Sequence, residues 1–316
     1  MGRYVARKLI HMVVVLLLVS FATSLMLDLT PGDPAYAILG DQATPAAVKS
    51  LHQELGLDRP FYVRYGDWLS NLARGDLGTS YEYKQSVSSL ISQALPVTAE
   101  LIVLTLLLAL AIAVPLGVYS ARRVGGIVDR GTTFVTSIFV SAPPFISVPF
   151  LVFLFVLTWH IFPATGWVKF GDSPMDNLQH IVLPVIALSL WPVAAFTAAL
   201  RSDTVATLQE DFILSARAKG LSTRSILFRH ALRPSSFSLM TLAGLSLGTL
   251  IGSAVIVEYL FALPGIGSLI ISAINVHDIP LVQGVVMFTA VVYVVMNTAV
   301  DILYRYLDPR LRMQKA

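Results

Sequence analysis

Six runs of apolar residues, at 9–29, 97–119, 132–159, 181–200, 237–257 and 281–304, dominate the chain. Each is long enough for a helix to cross a hydrocarbon core of roughly 30 Å, which takes about 20 residues. Hydrocarbon offers no partner to a backbone N–H or C=O, so each run is predicted as a membrane-spanning helix, bonded within itself. One sizeable polar region, 30–96, separates the first two runs and carries helix signals of its own. Thr44 predicts an N-cap with Pro45 at the first helical position, and the pattern ends at Leu55 with Gly56 as a left-handed cap. Asp58 predicts the cap of a second helix over 59–73. Its Phe61, Tyr65, Trp68, Leu69 and Leu72 recur at helical spacing and make one apolar face. Three fates suit that face: packing on the outer ends of the spans, lying on the membrane surface, or binding a partner.

Composition agrees with the pattern. The chain is 55% hydrophobic and 13% charged, about half the charge of an ordinary soluble protein, too little to cover a water-soluble body of this size. The net charge of +3 is concentrated in particular connections. Arg3, Arg7 and Lys8 precede the first run; Arg122, Arg123 and Arg130 lie between the second and third. Arg201, Arg217, Lys219, Arg224, Arg229 and Arg233 lie between the fourth and fifth, and Arg305, Arg310, Arg312 and Lys315 follow the sixth. The opposite side has Lys169 in 159–180 and no Lys or Arg in 258–280. This asymmetry predicts both termini in the cytoplasm and 30–96 outside. Lys49, Arg59, Arg64, Arg74 and Lys84 sit in a long segment to which the rule gives little weight. The first run has the basic start of a signal peptide, but its apolar stretch is long and no small-x-small cleavage site follows Met26, so a retained anchor is expected.

Several chemistries are excluded. There is no cysteine, hence no disulfide, iron–sulfur site or thiol catalysis. The six histidines form no H-x-x-x-H or E-x-x-H pair, and no metal site is expected. No G-x-x-x-x-G-K-[ST] is present, so the chain has no P-loop. No paired-carboxylate or Ser/His/Asp set lies in the runs. Glu100, Glu258 and Asp301 fall near span ends, where they read as interface or gate residues; ion-coupled transporters keep such groups at the midplane. His11, His160 and His180 also fall at span edges.

The connection 201–234 is the most informative stretch. Residues 209–219 follow a short helix pattern, with Glu210 and Asp211 at its positive end and Gly220 as its left-handed cap. Ser222 or Thr223 starts a second short helix, 224–232, with Pro234 as its stop. Phe212, Ile213 and Ala216 give the first helix an apolar patch beside Arg217 and Lys219. Small residues at Ser215, Ala216 and Ala218 allow close approach of another backbone. A loop held between two spans is too short to be a DNA reader, and a plain connector rarely combines two capped helices with an apolar patch.

Ser-Ala-Arg-Ala-Lys-Gly-Leu at 215–221, followed by Arg229-His230-Ala231-Leu232, resembles the EAA loop of ABC importer permeases, most of all the B-type subunit of the dipeptide/oligopeptide permeases. Further segments carry the resemblance over essentially the whole length: Thr30-Pro31-Gly32-Asp33-Pro34, Leu55-Gly56-Leu57-Asp58-Arg59-Pro60, Gly75-Asp76-Leu77-Gly78-Thr79-Ser80, Glu258 with Leu263-Pro264-Gly265-Ile266-Gly267, and Leu307-Asp308-Pro309-Arg310. Two positions depart from the pattern. Residues 214–216 read Leu-Ser-Ala where the family has Glu-Ala-Ala, and Pro234 falls one residue late.

The resemblance implies an all-α integral membrane protein of about six transmembrane helices, with the type I ABC importer (MetI-like) permease fold and an extracytoplasmic helical insertion after the first span. It divides the chain into an anchor (1–30), an extracytoplasmic region (31–96), a permease core (97–305) containing the coupling loop (201–234), and a cytoplasmic tail (306–316). The implied partners are a second, C-type permease subunit, two ABC ATPase subunits that bind ATP and Mg, an extracytoplasmic solute-binding protein and the lipid bilayer; no nucleic acid and no cofactor in this chain are implied. The implied place is a bacterial or archaeal plasma membrane and the implied solute a dipeptide or oligopeptide, with nickel, glutathione or oligosaccharide as alternatives; a secondary transporter is the remote alternative. Glu210, Asp211, Phe212, Ser215, Ala216, Arg217, Ala218, Lys219, Gly220 and Leu221 would form the ATPase-coupling surface. Gly244, Gly248 and Gly252 lie on one face of the fifth span in two G-x-x-x-G steps and, with Glu258, are helix-packing or gate candidates. Pro115, Pro143, Pro144, Pro149, Pro184 and Pro192 interrupt the runs where kinks can form.

Overall fold

A computed structural model describes residues 2–29, 33–141, 144–163 and 165–307. Thr30, Pro31, Gly32, Pro143 and the tail from Asp308 lie outside the described residues, as does the side chain of Asp301. The helices in chain order are α1 (Gly2–Leu29), α2 (Pro34–Leu39), α3 (Pro45–Leu55), α4 (Phe61–Ala73), α5 (Val87–Ala121), α6 (Ile127–Ser141), α7 (Pro144–Val152), α8 (Pro174–Thr207), α9 (Asp211–Ala218), α10 (Thr223–Ser225), α11 (Leu232–Leu260), α12 (Ile266–Asn275) and α13 (Ile279–Leu307). Wider π turns extend α7 over Phe153–Thr158 and join α10 to α11 over Ile226–Ala231.

Among the described residues, five helices are long and apolar enough to cross a membrane, and the count is six when α6 and α7 are taken as one span. The expected third span over 132–159 is therefore not a straight rod. Its two halves are bent by 107°. α6 ends at Ser141, and the sequence that follows it, Ala142-Pro143-Pro144, is one that disfavours a continuing helix. Pro184 and Pro192, by contrast, stay inside α8, which continues past both.

Two compact units divide the chain, Met1–Thr98 with Pro264–Val295, and Ala99–Leu263 with Met296–Ala316. In the first, the Thr44 hydroxyl accepts from the Ala47 N–H at 3.2 Å and Gly56 closes α3 at φ 65°, ψ 25°, as the sequence predicts. Asp58 does not cap α4. Arg59 precedes Pro60 and is kept out of the helix, so α4 starts at Phe61 with Pro60 as its N-cap. The aromatic face of α4 packs on α1: Phe21 meets Phe61 and Tyr65 edge-on, at 5.8 and 5.6 Å, and the Ser20 and Tyr65 hydroxyls lie 2.9 Å apart. The core of this unit joins the start of α5 (Val87, Leu90, Ile91, Ala94) to α12 and α13 (Ile266, Ala273, Leu281, Val282, Val285). A side chain added at Gly284 would stand 2.5 Å from Val87, so α13 and α5 meet at a glycine.

The second unit is built on α8, packed against α6 and α11. Its core gathers Ala109, Ala113 and Val118 of α5, Val193, Phe196 and Leu200 of α8, Leu227, and Leu239 and Ala243 of α11. Lipid tails are as apolar as these side chains, so close packing rather than hydrophobicity drives such contacts. Small residues stand where helices approach: a Cβ at Gly117 would lie 3.1 Å from Leu200.

Candidate functional site: the elbow between the two longest-packed helices

α8 ends at Thr207, and the chain folds into an elbow before re-entering the bundle as α11. The Ser235 hydroxyl donates to the Thr207 hydroxyl at 3.0 Å and ties the two ends of the elbow together. α9 ends as the glycine predicts. Gly220 has φ 75°, its N–H reaches the Arg217 carbonyl at 2.9 Å, and the Leu221 N–H reaches the Ala216 carbonyl at 3.3 Å. These two bonds satisfy carbonyls that the helix end leaves open. Ser222 caps α10, accepting from the Ser225 N–H. Glu210 occupies the N-cap of α9 with extended backbone and no side-chain bond, and Asp211 lies in the first turn.

The second arm of the elbow is not a short helix stopped by Pro234. α10, the π turn and α11 run on as one helix from Thr223 to Leu260, with Pro234 in its interior. Pro234 has no N–H for the His230 carbonyl, and the wider turn over Ile226–Ala231 immediately precedes it. Tyr119 of α5 meets Phe228 edge-on at 5.8 Å and steadies this turn.

α9 has two faces. Ile213 and Ala216, three residues apart, are buried and pack with Ile226, Ala231 and Leu208. Ala216 thus faces its own chain, which corrects the sequence expectation that it shares an outward patch with Phe212. A helix must bury one stripe against something, and the i, i+3 pair of this short helix serves that end. The outward face carries Asp211, Phe212, Leu214, Ser215, Arg217, Ala218, Lys219, Gly220 and Leu221, all exposed. Phe212 and Leu214 expose 47% and 55% of their surface, large values for apolar side chains on a structured element.

Beneath the elbow lies a contact that sequence reasoning missed. Asp129, at the start of α6, is buried and takes two bonds from the Arg201 guanidinium of α8, the second at 2.8 Å. Its carboxylate also accepts the Gly125 N–H at 2.7 Å. The sequence signal was an acid at the polar edge of an apolar run, and nothing in the sequence names its partner 72 residues away.

The other candidates divide. Gly244 is a true close approach, since an added Cβ would lie 2.7 Å from Val300 of α13. Gly248 is buried, whereas Gly252 is exposed with open space around it. The three glycines therefore do not serve one contact. Glu258 is fully buried at the end of α11. Glu100 accepts from the Trp167 indole at 3.3 Å.

The first unit holds two polar clusters outside the spans that the sequence did not announce. The His52 ring lies 2.8 Å from Asp33 and 3.5 Å from Asp58, and its pKa is raised, chiefly by the hydrogen bond it donates to the Asp33 carboxylate. Asp33 itself caps α2. In the second cluster, buried Asp278 accepts from the Ser80 hydroxyl at 2.5 Å, the Glu82 N–H at 3.1 Å and the Leu281 N–H at 3.2 Å. Burial, helped by Asp278, pushes the Tyr81 phenol up.

A helical membrane bundle with a structured elbow between two of its spans is the class of molecule this geometry defines. Residues 113–313 match the family described as binding-protein-dependent transport system inner membrane component, and residues 1–102 match the N-terminal part of that membrane component. The chain belongs to this family of ABC importer permeases. It is 38% identical over 312 residues, 99% of each chain, to a Brucella abortus protein described as a peptide transport system permease. The dipeptide transport system permease protein of Alkalihalophilus pseudofirmus is 33% identical, with 98% of this chain and 99% of that one covered. The oligopeptide transport system permease protein of Bacillus subtilis matches to the same extent. A solved chain of the MetNI methionine ABC transporter has the same fold, with a TM-score of 0.54 at 16% identity, covering 70% of this chain and 97% of that one.

Proposed function

We propose that this permease forms half of the path by which short peptides are drawn into a bacterial or archaeal cell across the plasma membrane, with a C-type permease subunit as the other half. Two ATPase subunits bind ATP and Mg and supply the energy; an extracytoplasmic binding protein delivers the solute. Both termini and the elbow lie in the cytoplasm, and 30–96 lies outside, as the Lys/Arg asymmetry argues. Nickel, glutathione or an oligosaccharide is the alternative cargo, since the binding protein chooses the solute. Whole-length likeness to permeases named for peptides, dipeptides and oligopeptides favours the peptide reading.

The observation that carries the coupling role is the two-faced α9. Its inward pair, Ile213 and Ala216, fixes it to the bundle, while Phe212 and Leu214 stand out into water beside Arg217 and Lys219. An ATPase groove that takes up Phe212 and Leu214 would remove that apolar surface from water. Closure of two ATPases on ATP would then displace α9, and with it α8 and α11, to which it is joined through few residues.

The test of cargo and energy together is uptake. The chain is co-expressed with its permease, ATPase and binding-protein partners and reconstituted in vesicles, and labelled dialanine is offered with and without ATP. ATP-dependent accumulation that requires the binding protein supports the reading. Accumulation driven by an ion gradient without ATP sinks it, and uptake of nickel or glutathione in place of dialanine selects the alternative cargo.

A further inference from the structure

The connection between α5 and α6 brings basic and apolar residues together at the end of two spans. Arg122, Arg123 and Arg130 are exposed, and none is in an ion pair among the described residues. The acid nearest in sequence, Asp129, is turned inward and already holds Arg201 and the Gly125 N–H. Nothing local therefore neutralises the three guanidinium groups. Val124 and Ile127 beside them are 63% and 92% exposed.

Helical spacing shows what these residues face. Asp129, Thr132 and Thr136 are buried on one side of α6. Ile127, Arg130, Phe134 and Ile138 fall on the opposite side, where Phe134 and Ile138 are 69% and 49% exposed. Arg130 thus stands on the outward stripe of a membrane helix, about 4.5 Å along the axis from Ile127 and between it and Phe134. Hydrocarbon has no anion for an arginine at that depth. Its long side chain has to reach toward the headgroups, and its planar fork suits phosphate oxygens.

We propose that Arg122, Arg123 and Arg130 form a site for an anionic phospholipid, its phosphate held by the three guanidinium groups and its acyl chain lying against Ile127 and Phe134. The bond from the Gly125 N–H to Asp129 fixes the turn between Arg123 and Arg130. A lipid fits better than a soluble acidic partner because the apolar stripe continues from the basic cluster along the span. Only a molecule with a charged head and a hydrocarbon tail answers both parts.

Native mass spectrometry of the chain purified with its partner subunits tests this without reference to transport. The complex is released from micelles containing phosphatidylglycerol or phosphatidylcholine. The wild type should retain phosphatidylglycerol in preference, and each Arg→Gln change at 122, 123 and 130 should weaken retention roughly fivefold. Arg130→Lys should keep most of it, and this mild variant separates loss of the site from failure to assemble. Equal retention of the two lipids by the wild type overturns the proposal. So does a cysteine at Ile127 that cross-links to the partner permease, since the stripe would then be covered by protein.

Discussion

His52 shows how much a single side chain can hold in the region between α1 and α5. It links the cap of α2, the last turn of α3 and the turn at Asp58. Because its folded pKa is raised above 6.5, the clasp stabilises fully below about pH 6.5 and fades as pH rises through the folded value. The wild type in detergent should therefore gain thermal stability between about pH 8 and pH 6, relative to His52→Gln, whose profile should lack this component. A parallel profile for both proteins would remove His52 from the account. Gly244 is the second residue with a sharp consequence. Its missing side chain is what admits Val300, whose branched methyls cannot swing away. Gly244→Ala should cost about 1–3 kcal/mol, read as loss of folded yield, while Gly252→Ala, in open space, should be silent. The sequence offered these glycines as one face; only their neighbours separate them, and neighbours far along the chain leave no local mark.

Among the elements, legibility followed the range of the interaction. α3 was readable to its ends because its cap residues act on backbone groups within four positions. The left-handed Gly220 was readable for the same reason. The stop at Pro234 was misread, since a proline does not end a helix whose preceding turn widens and whose following residues are held by a core. Ala216 was assigned outward because the small α9 offers apolar residues on two sides, and the choice between them is made by Ile226 and Ala231. The Asp129–Arg201 pair, which joins α6 to the helix feeding the elbow, lay beyond sequence reasoning altogether. Removing one partner leaves a charge with poor solvation: Asp129→Ala or Arg201→Ala should cost on the order of 2–3 kcal/mol, somewhat less than a fully buried pair because Arg201 is partly exposed. The exchange Asp129→Arg with Arg201→Asp should restore more assembled complex than either single change, measured by size-exclusion chromatography. If the exchanged protein is worse than both single variants, the pair is not a strut that depends on charge complementarity.

For the whole molecule, composition and apolar runs made the membrane class legible, and the order of short motifs made the family legible. The bend between α6 and α7 and the division into two compact units were not, because both depend on which helices pack together. Orientation has a direct check, since the chain has no cysteine and introduced ones report alone. In intact cells a cysteine at Asn71 should react with an impermeant thiol reagent and one at Thr223 should be shielded; the reverse pattern would invert the topology. The central claim is that force enters through the outward face of α9. Its most direct measurement is pull-down of the ATPase subunits by the chain carrying Phe212→Asp, a change that touches the exposed face and leaves Ile213 and Ala216 packed. The account predicts normal insertion and normal pairing with the second permease, with ATPase retention reduced at least tenfold, the equivalent of about 1.4 kcal/mol. Undiminished ATPase retention with full peptide uptake would contradict it and leave the elbow a connector.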